Sequence, residues 1–510
     1  MAVNKSRLAS WLGTNQRRQK RQSHRGWSGV LLGWVSGSLL ASMNQPAVAQ
    51  TNAYCQLSAE EITQTSAVHQ LALQGDQAAQ QRYQALVRQH AEQLQRCRSQ
   101  TWPQKQAIWL RLYPCDAVDG VLEEVMDRIV SRGYNEVFLE VFYNGQVLLP
   151  AAQNSTRWPS VLRTPGYETR DLLAEAVRLG RERGLKVYAW MFTLNFGYSY
   201  SQSLETQSVL ARNGQGATSL TSRAPEADGT TVNADELFID PYHPQAKQDY
   251  AQLLQAILQR QPDGVLFDYI RYPKGTGSAS VASRVQDLWI YGTAAQQALY
   301  QRALNQKGME LIQRFLTKGH VNSTDWSDLA ARYPTEPIPL WQGLTPVNDA
   351  PISHWQNELW RLTVAHAIQG VLDFLAMATA SVQQRGLKAG AVFFPEANQT
   401  VGQQGYDSRL QAWERFPHTI DWHPMAYATC ADASCIVAQI QRVAAQAPSG
   451  TQIQPALAGS WGQTLNQHPP LEQQMQAIRQ AFPQLQAVSH FAFSWQEPAF
   501  DHNRKFCQLR

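Results

Sequence analysis

The sequence predicts an α/β chain: a (β/α)8 TIM barrel with a small N-terminal helical hairpin and a long insertion after strand 4. Three observations carry this. From about residue 105, short apolar runs alternate with helical-period segments until eight such repeats are complete. The chain has 510 residues, 44% of them hydrophobic and only 16% charged, so a large core can be buried. No G-x-G-x-x-G or G-x4-G-K-[ST] loop follows any of the apolar runs, which counts against a nucleotide-binding sheet. A doubly wound open sheet is the alternative arrangement.

Residues 1–49 have the pattern of a signal peptide. Seven basic residues from Lys5 to Arg25 precede an apolar stretch, Trp27 to Ala41, and Ala47-Val48-Ala49 offers a small-x-small cleavage site. The apolar stretch is short for a membrane span; an uncleaved anchor is the alternative. Cleavage removes seven of 44 basic residues and no acid, leaving 37 positive against 40 negative side chains. The basicity thus belongs to the leader, and nucleic acid is not an expected partner. An exported protein is expected, in the periplasm, cell envelope or extracellular space, with no membrane span after cleavage. All six cysteines lie beyond residue 49, an even number that suits disulfides. Fifteen pairings are open; Cys55–Cys97, Cys115–Cys507 and Cys430–Cys435 are preferred. No C-x2-C pair supports zinc, and no metal or cofactor is expected.

Residues 50–104 are expected to form a helical hairpin appendage, starting at the capping box Ser58-Ala59-Glu60-Glu61 and turning at Gly75. The barrel is placed at 105–510. Its first strand is Ala107–Leu110, followed by a helix with Val118, Val121, Leu122, Val125, Met126, Ile129 and Val130 on one face. The second strand is Val137–Phe142. A helix over Asp171–Arg183 precedes the third, Lys186–Leu194, and a helix around Tyr250–Leu258 precedes the fourth, Gly264–Ile270. Residues 274–350 break the rhythm and are assigned as an insertion. A long helix over about 353–384 restores it. Strands five to eight are Ala389–Pro395, Thr419–Tyr427, Gln452–Ala458 and Val488–Trp495, with helices at 433–447 and 470–482.

Barrel active sites lie at the C-terminal ends of the strands, so polar residues closing apolar strands are the candidates. Asp268 closes the fourth strand and Glu396 follows the fifth. Such a pair of carboxylates is what glycoside hydrolysis requires: one protonates the leaving oxygen, the other attacks or activates water. Asp268 is the expected nucleophile or base, Glu396 the general acid and Arg271 the residue that orients Asp268; the bland reading makes Asp268 half of a structural ion pair with Arg271 and Glu396 a solvated loop residue. Further candidates to line a sugar site are Glu140, Asn144, Trp190, Asp240, Tyr269, His423, Tyr427, Trp461, Trp495 and Glu497, the last a reserve for the second acid. Sixteen Trp residues fit sugar stacking as well as core packing. No H-E-x-x-H, EF-hand or G-x-S-x-G motif supports a metal or serine hydrolase.

At these residues the chain resembles the glycosyl hydrolase-like family 10 proteins. Asp263–Pro273 (DGVLFDYIRYP) is similar to that family's DG-hydrophobic-x-FD-Y-x-YP block, Leu237–Lys247 to its Asp-Pro-x-His-Pro block, and Gly184–Trp190 to its RGLKV-x-aromatic-W block. The resemblance covers about 106–273. It implies a (β/α)8 barrel acting on glycans, bacterial envelope polysaccharide and peptidoglycan strands among them, with Asp268 at the catalytic carboxylate position. Many members carry a second Asp directly after it, where this chain has Tyr269. Two rival expectations stand beside an exported glycosidase: a noncatalytic glycan-binding barrel, and an assembly protein that docks a protein partner through the 55–100 hairpin.

Overall fold

In the computed structural model, which describes residues 54–222 and 236–508, the eight apolar runs are eight strands. They are β1 Lys105–Leu110, β2 Glu136–Tyr143, β3 Lys186–Phe192, β4 Gly264–Asp268, β5 Lys388–Phe393, β6 Asp421–Ala426, β7 Ala456–Ala458 and β8 Ala487–Phe491. Each pairs in parallel with its chain neighbours, and β1 pairs with both β2 and β8. The ring is therefore closed. An open sheet would leave two unpaired edges, and these strands have none. The leader expected over 1–49 lies outside the described residues.

Strand register fixes what points into the barrel. Paired residues share a face, and a (β/α)8 barrel staggers by about one residue per strand. Following Glu140↔Trp190↔Leu266 and climbing two residues brings Asp268 on β4 level with Glu140 on β2. The same steps reach Met425 on β6 and Phe491 on β8, then return to Glu140 through Trp109↔Phe138. Glu140, Asp268, Met425 and Phe491 thus form the uppermost layer of the even-numbered strands. Beneath it lies an apolar layer containing Trp109 and Trp190, whose rings meet edge to face at 4.7 Å.

The hairpin is α1 Ala59–Leu73 and α2 Gln77–Gln100. Ser58 and Glu61 form the expected capping box, and Gly75 turns with φ +94°. Arg98, buried in α2, ties the hairpin to the barrel by donating to the carbonyls of Tyr54, Pro103 and Gly133 and to Gln106 Oε1. The helices after β1 and β2 are α3 Val121–Ser131 and α4 Leu172–Glu182. Val118 departs from expectation: α3 begins only at Val121, after the left-handed Gly120, so Val118 stays outside the helix and exposed.

Helix α5 Pro244–Leu258 precedes β4. The insertion holds three helices, α6 Thr293–Tyr300, α7 Gln306–Lys318 and α8 Ser323–Arg332, and a short strand Val281–Ala282 that pairs with Gly405–Asp407 beyond β5. Helix α9 Ile352–Gln383 follows. It is long and apolar enough to cross a membrane, but 61% of its apolar window is buried, and it packs on α5, β4 and β5. Its hydrophobicity is that of a core helix. The remaining outer helices are α10 Ser434–Gln446 and α11 Leu471–Ala481.

The three preferred disulfides are the observed ones: Cys55–Cys97, Cys115–Cys507 and Cys430–Cys435. Cys115–Cys507 is reinforced by a fully buried ion pair. Arg504 donates from Nε and Nη2 to the two oxygens of Asp116, each at 2.7 Å, which pins the C-terminal helix α12 Pro498–Lys505 to the loop after β1.

Candidate active site

Two carboxylates share the top layer of the barrel. Asp268 ends β4, 7% exposed. Its Oδ1 accepts from the backbone N–H of Tyr269 at 2.6 Å and its Oδ2 from Trp190 Nε1 at 3.1 Å. Tyr269 has φ +53°, and this left-handed turn folds its N–H back onto the preceding carboxylate. Burial pushes Asp268 up to about 6, against those two hydrogen bonds and the Arg271 charge, while the Glu140 charge adds to the rise. Glu140, 1% exposed on β2, is also raised by burial. Its Oε2 accepts from Arg111 Nε, and its Oε1 has no partner among the described residues. Glu140 thus lies in the same layer as Asp268, and its charge is the smallest of the contributions to the rise of Asp268.

Glu396 is placed elsewhere. It is half-exposed in the turn after β5, with Oε1 3.6 Å from Arg409 Nη1 and Oε2 accepting from Gln439 Nε2 at 3.4 Å. Arg271 does not orient Asp268 by contact. Its Nη1 donates to the Tyr272 carbonyl, and it acts on Asp268 through its charge alone.

Aromatic side chains surround the acids. Trp190 pairs with Glu140 in the ladder and bonds Asp268, so it stands between the two. Tyr427, just past β6, has its hydroxyl pushed well up by burial and by the charge of Asp268. Its ring centroid lies 5.7 Å from that of Phe491, which lies 6.0 Å from that of Trp495. Trp495 belongs to a short helical turn, Phe493–Gln496, and not to an extended β8. The Tyr269 ring packs at a tilt on Phe192, with ring centroids 4.1 Å apart.

Five other candidates sit apart from this group. His423 lies one residue pair below Met425 on β6, beneath the tryptophan layer, with its ring edge to face with Phe138 at 5.3 Å. The strand continues past it to Ala426, so it is a floor residue and not a strand end. Trp461 turns outward. Ser489 and Phe491 face into the barrel, so His490 between them faces out, and Trp461 packs on that outer His490 and on Tyr54. Glu497 is held outside the barrel by Arg128 at 3.0 Å and Arg132 at 2.6 Å, both on or next to α3. Asp240 is fully buried, and both its oxygens accept backbone N–H groups, of Tyr242 and of Ala295; it anchors α6 of the insertion. Asn144 occupies a hairpin turn with Gly145, both at positive φ, joining β2 to the short strand Gln146–Val147.

His423 yields a sharp pH prediction. Burial first, then Lys105 and Lys388, push it down to about 3, and neither ring nitrogen has a partner among the described residues. Above about pH 6.5 it is neutral in both folded and unfolded chains and has no effect. As pH falls from there toward 3, only the unfolded chain takes the proton, so folding weakens. His423→Leu removes this loss. Urea titrations should show the variant gaining on the wild type as pH falls from 6.5 to 3, by up to about 4 kcal/mol. A pH-independent difference would contradict the buried, neutral imidazole.

Arg111, Trp109 and Phe491 were not anticipated as site residues. Arg111 follows the last residue of β1 and was accessible to the same strand-end rule. It stacks on Tyr143 at 4.4 Å and holds Glu140.

Residues 101–317 match the family model described as Glycosyl hydrolase-like 10. That segment is similar to this family. It contains β1 to β4, and with them Arg111, Glu140, Trp190 and Asp268; β5 to β8 lie beyond the match. No curated protein sequence matches the chain. Among solved structures it is similar to the glycoside hydrolase domain of PgaB (BpsB) from Bordetella bronchiseptica, at 15% identity, with 78% of this chain and 98% of that chain covered and a TM-score of 0.45. It is also similar to the catalytic domain of a β-amylase from Paenibacillus polymyxa (8% identity; 76% and 92% covered; TM-score 0.44). A GH18 chitinase from Pseudoalteromonas aurantia shares 13% identity, with 79% and 97% covered and a TM-score of 0.36.

Proposed function

We propose that the protein is an exported glycoside hydrolase acting on a polysaccharide or envelope glycan, with Asp268 and Glu140 as its two working carboxyls. The placement of these two acids in one layer at the C-terminal mouth of the barrel carries the reading. Asp268 is the proton donor: it stands at about 6 and forms no ion pair among the described residues, so it holds a proton at mildly acid pH. Glu140, bonded to Arg111, is the carboxylate that attacks or activates water. Trp190 holds Asp268 through its indole N–H, and Tyr427 and Trp495 line the sugar path. Export is supported by the leader pattern and the three disulfides.

The test is release of reducing ends by the purified mature protein from peptidoglycan and a panel of polysaccharides. Cleavage is expected, with kcat/KM falling as pH rises above about 6 because Asp268 loses its proton. Absence of cleavage across the panel, together with retained glycan binding, would replace this reading with a noncatalytic glycan-binding barrel. The near-complete burial of both acids favours that second reading.

A further inference from the structure

The hairpin does not lie flush on the barrel. Between α1 and α2 on one side and α3 on the other is a cavity of about 360 Å3, which shares no residue with the mouth around Asp268. Small-ligand sites have volumes of about 300–1,000 Å3. His69 of α1 and His90 of α2 both line the cavity, and each is 5% exposed. Neither imidazole has a hydrogen-bond partner among the described residues; His69 is held by stacking on Tyr83, with ring centroids 4.4 Å apart. Burial holds both rings below the ordinary imidazole range, so they are neutral at pH 7.

A neutral imidazole carries one donor and one acceptor, and here that capacity is left to whatever fills the cavity. A buried polar group left unmatched costs about 1–3 kcal/mol, so two of them at one cavity mark a place built to be filled. The rest of the wall says by what. Its three arginines and three carboxylates are matched to one another: Arg128 to Glu124 at 2.7 Å and to Glu497 at 3.0 Å, Arg132 to Glu497 at 2.6 Å, Arg183 to Asp127 at 2.7 Å. A charged occupant would meet no unmatched counter-charge, and no three His, Cys, Asp or Glu side chains among the described residues are grouped to hold a metal ion. Leu57, Ile62, Val87 and Val130 add apolar surface, and Thr65 and Ser66 add hydroxyls. The occupant is therefore uncharged, rich in donors and acceptors, and apolar on one face. A pyranose ring has these features, with hydroxyls at its rim and C–H bonds on its faces.

We propose that this cavity is a second glycan site, which receives one uncharged sugar unit through His69 and His90 and holds a polysaccharide to the flank of the barrel. The choice of a sugar over other uncharged ligands rests on the glycosidase reading above; the binding site itself does not.

Histidine-selective 13C labelling of the full mature protein reads both rings directly, with His69→Phe and His90→Leu to assign them. The probes are glucose, galactose, xylose and N-acetylglucosamine. At least one is expected to shift both signals saturably, with a Kd of about 1 mM or tighter, and to do so equally in Asp268→Asn. His69→Phe keeps the stack on Tyr83 but loses the ring nitrogens, and should weaken binding about tenfold. Ser66→Trp, at an exposed position on the rim, covers the cavity without entering the core and should abolish the shifts. No saturable shift of either ring by any of the four sugars overturns the proposal. So do shifts that survive Ser66→Trp, and shifts lost in Asp268→Asn, which would put the sugar at the mouth. Saturation by phosphate or acetate and by no sugar overturns it as well. Shifts in a protein that cleaves no glycan support the second site and defeat only the hydrolase reading; cleavage without shifts does the reverse.

Discussion

Asp268→Asn is expected to reduce glycan cleavage by at least about 10²–10⁴-fold, the usual contribution of a positioned proton donor, while the barrel stays folded. Two opposed effects set its stability. At pH 8 the wild type carries a buried carboxylate whose folded-state pKa stands about two units above its ordinary value, a cost of about 3 kcal/mol that the variant escapes. Against this, the Tyr269 and Trp190 N–H groups each need an acceptor, and an amide offers one oxygen, so one donor loses its bond at about 1–3 kcal/mol. The two nearly cancel at pH 8. As pH falls below about 6 the wild type regains the proton and its cost shrinks, vanishing only near pH 4, so the variant becomes progressively the less stable protein. Urea unfolding at pH 8 and pH 5 reads this crossing. A variant equally destabilised at both pH values would contradict a raised Asp268.

Glu140→Gln is expected to lower activity about 10³-fold or more, and Glu396→Gln to leave it within a fewfold. The contrast follows from position. Glu140 is buried in the same top layer as Asp268 and bonded to Arg111. Glu396 faces Arg409 and Gln439 and is half-exposed. Parallel assays of the two variants decide between the pairs Asp268/Glu140 and Asp268/Glu396. A large loss in Glu396→Gln with a small one in Glu140→Gln would reverse the assignment made here.

The barrel was legible because each of its strands is a short apolar run followed by helical periodicity, and because Gly133 and Gly184 stop α3 and α4 where expected. Asp268 was legible for a related reason: a carboxylate directly after Gly264–Phe267 must emerge at the mouth. Its partner was named only among the residues expected to line the sugar site, not as the second acid. Glu140 lies three residues before the end of β2, so a rule that inspects strand ends gives it no catalytic part. Only the stagger of a closed barrel lifts it level with Asp268, and stagger is a property of the ring and not of any one strand. Trp461 and Glu497 failed for the opposite reason. Each follows a strand closely, but the chain has already turned over the rim, and outward-facing partners (His490 for one, Arg128 and Arg132 for the other) claim the side chain. His423 shows that a polar residue inside a strand can belong to the floor, where burial keeps it neutral.

The most direct test of the central claim is a crystal structure of the Asp268→Asn variant with an oligosaccharide from a glycan that the wild type cleaves. The account predicts a glycosidic oxygen within hydrogen-bond distance of residue 268, with Glu140 on the other side of the same sugar ring. A sugar chain running past Glu396 and Arg409, with residues 140 and 268 untouched beneath it, would contradict it.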